Sequence, residues 1–305
     1  MHQPIKELLT EAWDPAIPDL ATLSPIEVAR VMNEADKTVA LAVESVLEEI
    51  GEAIATITQA LSHGGRLLYV GAGTSGRLGI LDAAECPPTF NTDPALVQAV
   101  IAGGSEAVFS AKEGAEDDFD QGGQDLKDAG TTSQDVVVGI TASGTTPYVL
   151  GALKWARENR IATVALACNQ ASGIELWSDI TIALDTGPEV LMGSTRLKAG
   201  SAQKMVLNML STGVMVGLGK TFRNLMVDMR PTNEKLKDRA IRIVSLASGV
   251  SLEKAGALLE EAQGESKVAI AMALWEVSGS EARVRLSELG GILSKATPSR
   301  QQKGG

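Results

Sequence analysis

The stretch Leu67-Leu68-Tyr69-Val70-Gly71-Ala72-Gly73-Thr74-Ser75-Gly76-Arg77 decides how this chain reads. It opens on an unbroken apolar run, the pattern of a strand buried on both faces rather than one with a wet side. The run passes into a turn of small and hydroxylic residues and then into sequence with helical spacing. A strand that turns directly into a helix is the first half of a βαβ unit.

Working outward, the same kind of run recurs at Leu96 to Ile101, Val136 to Ile140, Thr163 to Ala167 and Ile180 to Leu184. Helical patterns lie between most of them, so the reading is α/β, a doubly wound parallel sheet wrapped by helices. Ahead of the sheet, residues 1 to 22 read as irregular, with Pro4, Pro15 and Pro18. Ser24-Pro25-Ile26-Glu27 is a helix start with a capping box. A second helical stretch spans about Asp36 to Leu61 and ends at Gly64-Gly65. Thr146-Pro147 opens another helix, and Ser201 to Gly219 is a nearly apolar one. Beyond Pro231 the strands stop, and residues 232 to 296 read as four short helices, with a second capping box at Ser278-Gly279-Ser280-Glu281. The expected organisation is a sheet domain with N-terminal helices over 1–235 and a small helical domain over 236–305, with Thr297 to Gly305 as a frayed tail. No internal repeat is present.

Composition narrows the function. The formal charge is −11, so no basic stripe exists to meet a nucleic acid. Aromatic residues are 3% and hydrophobic residues 44%, which implies an aliphatic core. Cys86 and Cys168 are too few for a disulfide framework and share no metal-ligand spacing with His2 or His63. The N-terminal MHQPIKELLTEAW lacks the apolar core of a signal peptide, and no window is long and apolar enough for a membrane span. A soluble, cytoplasmic protein with no membrane partner is expected.

Four motifs carry chemistry. The turn at Thr74, Ser75, Gly76 and Arg77 joins small residues and hydroxyls to a helix N-terminus, which suits a phosphate. Its glycine spacing is not that of a dinucleotide fingerprint, and no P-loop lysine follows. The turn Thr141-Ala142-Ser143-Gly144-Thr145-Thr146-Pro147 repeats the arrangement after a second strand. In a doubly wound sheet both would lie at carboxyl ends of strands, where ligands bind; otherwise these hydroxyls only cap helices. Glu85, ahead of Cys86-Pro87-Pro88 where a helix should end, and Glu116, within Glu113-Gly114-Ala115-Glu116-Asp117-Asp118, are a carboxylate pair. Residue type alone leaves them between a shared acid–base role and solvated faces. Glu189 to Gly200 holds Glu189, Ser194 and Lys198, further candidates for substrate contact in an otherwise cation-poor region.

Taken in order, these motifs resemble the N-acetylmuramic acid 6-phosphate etherases, with sugar isomerase domains and the glucokinase regulatory protein as wider relatives. The most specific stretches are GAGTSGRLGILDAAECPPTF, EGAEDD, ASGTTPYV, GSTRLKAGSAQKMVLNMLSTGVM and NLMVDMRPTNEKL. The resemblance implies that Glu85 is the proton donor and Glu116 the second catalytic carboxylate, and that Thr74, Ser75 and Ser143 to Thr146 hold the phosphate. Thr145 stands where many members have Arg, and Trp13-Asp14-Pro15 replaces a segment that usually carries Asn. By the resemblance, C2 deprotonation by Glu116 and protonation of the ether oxygen by Glu85 would expel D-lactate. Water would then complete N-acetylglucosamine 6-phosphate, with no cofactor or metal. A phosphosugar isomerase using Glu189 as base and a non-catalytic phosphosugar sensor are the alternatives. The apolar helix at 201–219, with the dimeric habit of related domains, leads to the expectation of a homodimer with a shared site.

Overall fold

A computed structural model describes residues 8–170, 172–229 and 234–296. Pro4, His2, Pro231 and the tail from Thr297 lie outside the described residues. Two short 3-10 turns, Leu9–Glu11 and Leu20–Thr22, lead to α1 (Pro25–Asp36), α2 (Val39–Glu44) and α3 (Leu47–Ser62). The sheet region follows as β1 (Leu67–Gly71), α4 (Gly73–Phe90), β2 (Val97–Ile101), α5 (Phe119–Asp128), β3 (Val136–Thr141), α6 (Pro147–Glu158), β4 (Ala162–Ala167), β5 (Ile180–Ala183) and α7 (Lys198–Gly217). A small hairpin, β6 (Thr221–Phe222) and β7 (Leu225–Met226), precedes α8 (Glu234–Ser248), α9 (Leu252–Glu261), α10 (Ser266–Trp275) and α11 (Gly279–Glu288). By compactness the chain forms two units: residues up to Ala84 with Pro94–Ser211, and Glu85–Asp93 with the residues from Thr212.

The main sheet has the order β2-β1-β3-β4-β5, every neighbour parallel. All five strands agree with the apolar runs to within a residue, because continuous burial leaves no competing helical period. One face, with Leu68, Val70, Val137, Ala165 and Ala167, packs under α5 and α6 in a single cluster. Those two helices approach closely. A Cβ on Gly122 would overlap the Tyr148 carbonyl, and one on Gly151 would overlap the Phe119 carbonyl. Only glycine permits that spacing. Tyr148 then donates to Asp125 Oδ2 at 2.6 Å, and burial pushes its phenol well above the ordinary range. The second unit has its own core, in which Ala240, Val244, Ala255, Ala269 and Ala282 are buried among α8 to α11.

Local sequence decides most element ends. Ser24 N donates to Glu27 Oε2 at 2.8 Å, the carboxylate half of the capping box, and Ser24 Oγ donates to the same oxygen at 2.5 Å. At α11, Ser278 Oγ accepts from Glu281 N at 3.3 Å. The helix expected over 36–61 is broken into α2 and α3. Ser45 Oγ turns back to the Ala42 carbonyl at 2.8 Å, and β-branched Val46 adopts φ −126°. A larger correction concerns α4, which does not end at Glu85 but runs through Pro87 and Pro88 to Phe90. Each proline removes an amide bond and crowds the carbonyl four residues back, but Cys86 (2% exposed) and Phe90 (7%), four residues apart, keep the last turn buried. A helix expected between β2 and Glu113 is only the 3-10 turn Ser105–Val108.

Arg66 and Asp135 stand immediately before β1 and β3. Asp135 Oδ1 accepts from Arg66 N at 2.8 Å and Nε at 3.2 Å, and its Oδ2 accepts from Arg66 Nη2 and Thr132 N, both at 2.8 Å. Burial pushes this carboxyl up, but the guanidinium and the amides outweigh it and hold it below the usual carboxylate value. A lowered folded-state value means the stabilisation is complete above the unfolded value, about 3.9, and is lost as pH falls through the folded one. We expect Asp135→Ala to cost about 3 kcal/mol, because it leaves Arg66 half-buried without its partner. Urea titrations at neutral pH and below pH ~4 should show that gap shrinking in acid; a variant as stable as wild type at neutral pH would remove the pair from the fold's support.

Candidate active site

The strand order reverses between β1 and β3, the switch point where open α/β sheets leave a crevice at their carboxyl edge. Gly71 of β1 lies in register with Ile140 of β3, so the turns that follow them emerge side by side. A cleft of about 440 Å³ opens there. Its floor is Ala72 to Ser75 from one turn and Ala142, Ser143, Thr145 and Thr146 from the other. Glu116, Asp117, Gly193, Thr195, Leu8 and Glu11 form its walls.

Each turn delivers a helix N-terminus. Thr74 and Ser75 occupy the first turn of α4, and Thr146 precedes Pro147 at the start of α6. The positive dipole ends of both helices therefore point at one cleft. In the second turn, Thr141 Oγ1 meets Thr146 Oγ1 at 2.8 Å and Ser143 Oγ at 3.3 Å. Ser143 Oγ accepts from Thr145 N and Oγ1, both at 3.1 Å, and Thr141 Oγ1 accepts from Gly144 N at 3.2 Å. Gly144 adopts φ +79° against the Ser172 side chain, a place only glycine fits. In the first turn Ser75 Oγ donates to Gln203 Oε1 of α7 at 3.0 Å. These hydroxyls and amides are the polar groups of the cleft floor.

Of the predicted residues, Thr74, Ser75, Ser143, Thr145, Thr146 and Glu116 line the cleft together. Glu116 is exposed, on the 3-10 turn Ala115–Asp117. Gly76 packs beneath the turn against Gly71 and Ile101. Arg77 turns away, donating from Nε to the Val108 carbonyl at 2.9 Å and from Nη2 to the Ala107 carbonyl at 2.8 Å. Lys198 Nζ donates to the Thr186 carbonyl at 2.7 Å. Glu189 is buried, and its two oxygens accept from Lys198 N at 3.0 Å and Ala199 N at 2.9 Å, capping α7. Ser194 lies beside the cleft residues Gly193 and Thr195, with its amide on the Leu191 carbonyl. Glu85 is exposed on α4 and belongs to the second compact unit. No lysine or arginine lines the cleft among the described residues.

Sequence reading missed the N-terminal wall. Asn169, just beyond β4, donates to the Ala142 carbonyl at 3.0 Å and to Thr10 Oγ1 at 2.8 Å, and its Oδ1 accepts from Thr10 N at 3.3 Å. That ties Leu8 and Glu11 to the rim. Burial raises the Glu11 carboxyl above its ordinary value. The available signal was Asn169 itself, a polar residue at a strand's carboxyl end on the same edge as the two turns. No three His, Cys, Asp or Glu side chains converge as metal ligands among the described residues. Burial also pushes the Cys168 thiol up, which leaves it unreactive.

A family model described as glucokinase regulatory protein N-terminal SIS domain matches residues 49–157, and one described as SIS domain matches 120–213. The chain is 50% identical over 292 residues to the N-acetylmuramic acid 6-phosphate etherase of Geobacillus thermodenitrificans, covering 96% of this chain and 99% of that one. It is 50% identical over 287 residues to the etherase of the same name from Cutibacterium acnes, covering 94% of each. With N-acetylmuramic acid 6-phosphate etherase 2 of Vibrio cholerae it shares 49% over 298 residues, covering 98% and 97%.

The placement of Glu189 has a measurable consequence. As a cap on the first amides of α7, it should cost about 1 to 3 kcal/mol when replaced by alanine, since those donors lose a charged acceptor. Denaturant unfolding of Glu189→Ala checks this. Unchanged stability would mean the carboxylate is not needed to hold α7.

Proposed function

The chain belongs to the N-acetylmuramic acid 6-phosphate etherase family, and on that premise we propose how its residues carry out the reaction. It is an enzyme that acts on N-acetylmuramic acid 6-phosphate as a carbon–oxygen lyase. In our reading the 6-phosphate sits on the two turns, held by Thr74, Ser75, Ser143, Thr145 and Thr146 and by the amides at the two helix N-termini. With the sugar ring open, the C1 aldehyde acidifies the C2 hydrogen. Glu116 takes that proton, and Glu85 protonates the C3 ether oxygen as the C–O bond breaks. D-lactate leaves, and water adds across the C2–C3 double bond to give N-acetylglucosamine 6-phosphate.

The observation that carries this reading is the position of Glu116 on the wall of the same cleft as both hydroxyl turns. A carboxylate there reaches the sugar while the phosphate is gripped at the far end. The Glu85 role rests on the family resemblance around AECPPTF. Glu189 is a poor base for an isomerase reading, because both its oxygens are engaged by amides and it does not line the cleft. We further propose that the enzyme works in the cytoplasm, in amino sugar catabolism or recycling of wall fragments. No helix among the described residues is long and apolar enough to cross a membrane.

Glu85→Gln should lower lactate release by about 10²- to 10⁴-fold, the usual contribution of a proton-transfer group. Glu116→Gln should abolish exchange of the C2 proton with solvent deuterium as well. If exchange in Glu116→Gln persists at the wild-type rate, another group is the base.

We also propose a homodimer. Met205 and Met209 on α7 are only half-buried, and Val216 (52% exposed), Leu191 (56%) and Met192 (58%) stand out as large apolar side chains in water. Light scattering at micromolar concentration should return twice the 31.8 kDa chain mass. A fully active monomer would end this proposal.

A further inference from the structure

The second unit carries a solvent-open cavity of about 740 Å³, lined only by its own residues, at the N-terminus of α10. Glu265 holds the N-cap position there but does not cap the helix. Its Oε1 accepts instead from Arg283 Nε at 3.0 Å and Nη2 at 2.8 Å. The first bond of the helix ladder runs from Ala269 N to the Glu265 carbonyl at 3.0 Å. The amides of Ser266, Lys267 and Val268 are therefore left without a partner among the described residues, as the opening amides of an uncapped helix are. All three residues line the cavity. Ser266 is 1% exposed, and its Oγ has no hydrogen-bond partner among the described residues. A buried hydroxyl beside three vacant amides is costly to keep unless something accepts from them.

Charge points the same way. Lys267 Nζ lies 2.8 Å from Asp228 Oδ2, and Lys220 Nζ lies 3.2 Å from the same oxygen. Arg283 pairs with Glu265 at 2.8 Å. Lys267 and Arg283 line the cavity and counter its two carboxylates, Asp228 and Glu265, and a third cation, Lys220, reaches Asp228 from outside the lining. The helix dipole adds positive potential. We infer that this cavity is a second anion site, separate from the cleft at the switch point, and that it takes a phosphate dianion, either free or as the monoester of a small metabolite. Three convergent amides and a hydroxyl match the several oxygens of phosphate better than a halide, and the cavity volume leaves room for an attached sugar. Arg283 and Lys267 stand at the anion's flank, each with a donor left over from its ion pair.

Ser266→Pro is the sharpest variant. Proline is favoured at the first helical position, and Glu265 before it already has the extended ψ of 95° that a following proline needs. The change deletes an amide and the hydroxyl together and leaves the helix intact. Ser266→Ala deletes the hydroxyl alone. Calorimetry on the full chain, titrated separately with inorganic phosphate and with N-acetylglucosamine 6-phosphate, reads the site, and N-acetylglucosamine is the uncharged control. The expected result is a binding event that Ser266→Pro weakens by about tenfold or more, because two donors to a charged acceptor are gone. Ser266→Ala should weaken it less, and Ser143→Ala should leave it unchanged. Lactate release without added phosphate should be the same in Ser266→Pro as in wild type. Response to inorganic phosphate identifies a free-ion site, and response to the sugar phosphate alone identifies a monoester site; both support the inference. Phosphate binding that Ser266→Pro does not alter, or no binding beyond what Ser143→Ala removes, overturns it. Loss of binding in Ser143→Ala alone bears only on the cleft, so failure of the catalytic reading and failure of this one are told apart.

Discussion

The pairing of Arg66 with Asp135 closes the β1–β3 pair at its amino end, and the cleft at the other end depends on it. The two residues are adjacent to the first ladder partners, Leu67 and Val136. Five donor contacts converge on one carboxylate, which fixes how β3 lies against β1 before any side chain of the cleft is considered. A parallel ladder has a two-residue period, so a slip by one would turn the side chains of β3 to the opposite face and displace the turn that follows it. The register carried from Arg66 to Gly71 is what sets Thr74 beside Thr146. The cap of Glu189 on α7 plays a similar part for Gln203, which accepts from Ser75 of the first turn.

In the proposed reading the cleft would hold the phosphate without a cation among its described lining residues. Arg77 and Lys198, the two cations the sequence offered as ligands, direct donors to backbone carbonyls. What remains is hydroxyls, amides and the ends of two helices. Such donors are short and geometrically fixed, so they discriminate a tetrahedral oxyanion by shape rather than by field. Glu11, Glu116 and Asp117 on the walls make the rest of the cleft acidic, which suits a proton-transfer site better than a simple anion trap.

The sheet was legible because its central strands are buried on both faces and all five read as plain apolar runs. Both hydroxyl-rich turns were legible because they combine small residues and hydroxyls at the end of such a run. What escaped reading depended on contacts distant in sequence. Asn169 meets Thr10 across 159 positions, and nothing near Thr10 announces it. Lys198 looked like a free cation because its carbonyl partner Thr186 carries no signal in side-chain type. The end of α4 was misplaced for a related reason. Proline is a local penalty, and the burial of Cys86 and Phe90 that overrides it is not local. The hairpin at β6 and β7 was missed because strands of two residues have no period to detect.

The strand order also dictates when during folding a cleft can exist at all. β1 and β2 are joined by one helix, and their first partners, Leu67 and Val97, are near in sequence compared with Leu67 and Val136. Closing the longer loop costs more chain entropy, although only slowly with length, and non-local parallel pairing is intrinsically slow. A chain that had joined β1 to β2 but not to β3 would hold the Thr74 turn alone, with no Ser143 turn opposite. Ligand affinity therefore arrives with the last of these pairings rather than growing with compactness, and the substrate can stabilise only chains that have already inserted β1 between its two neighbours.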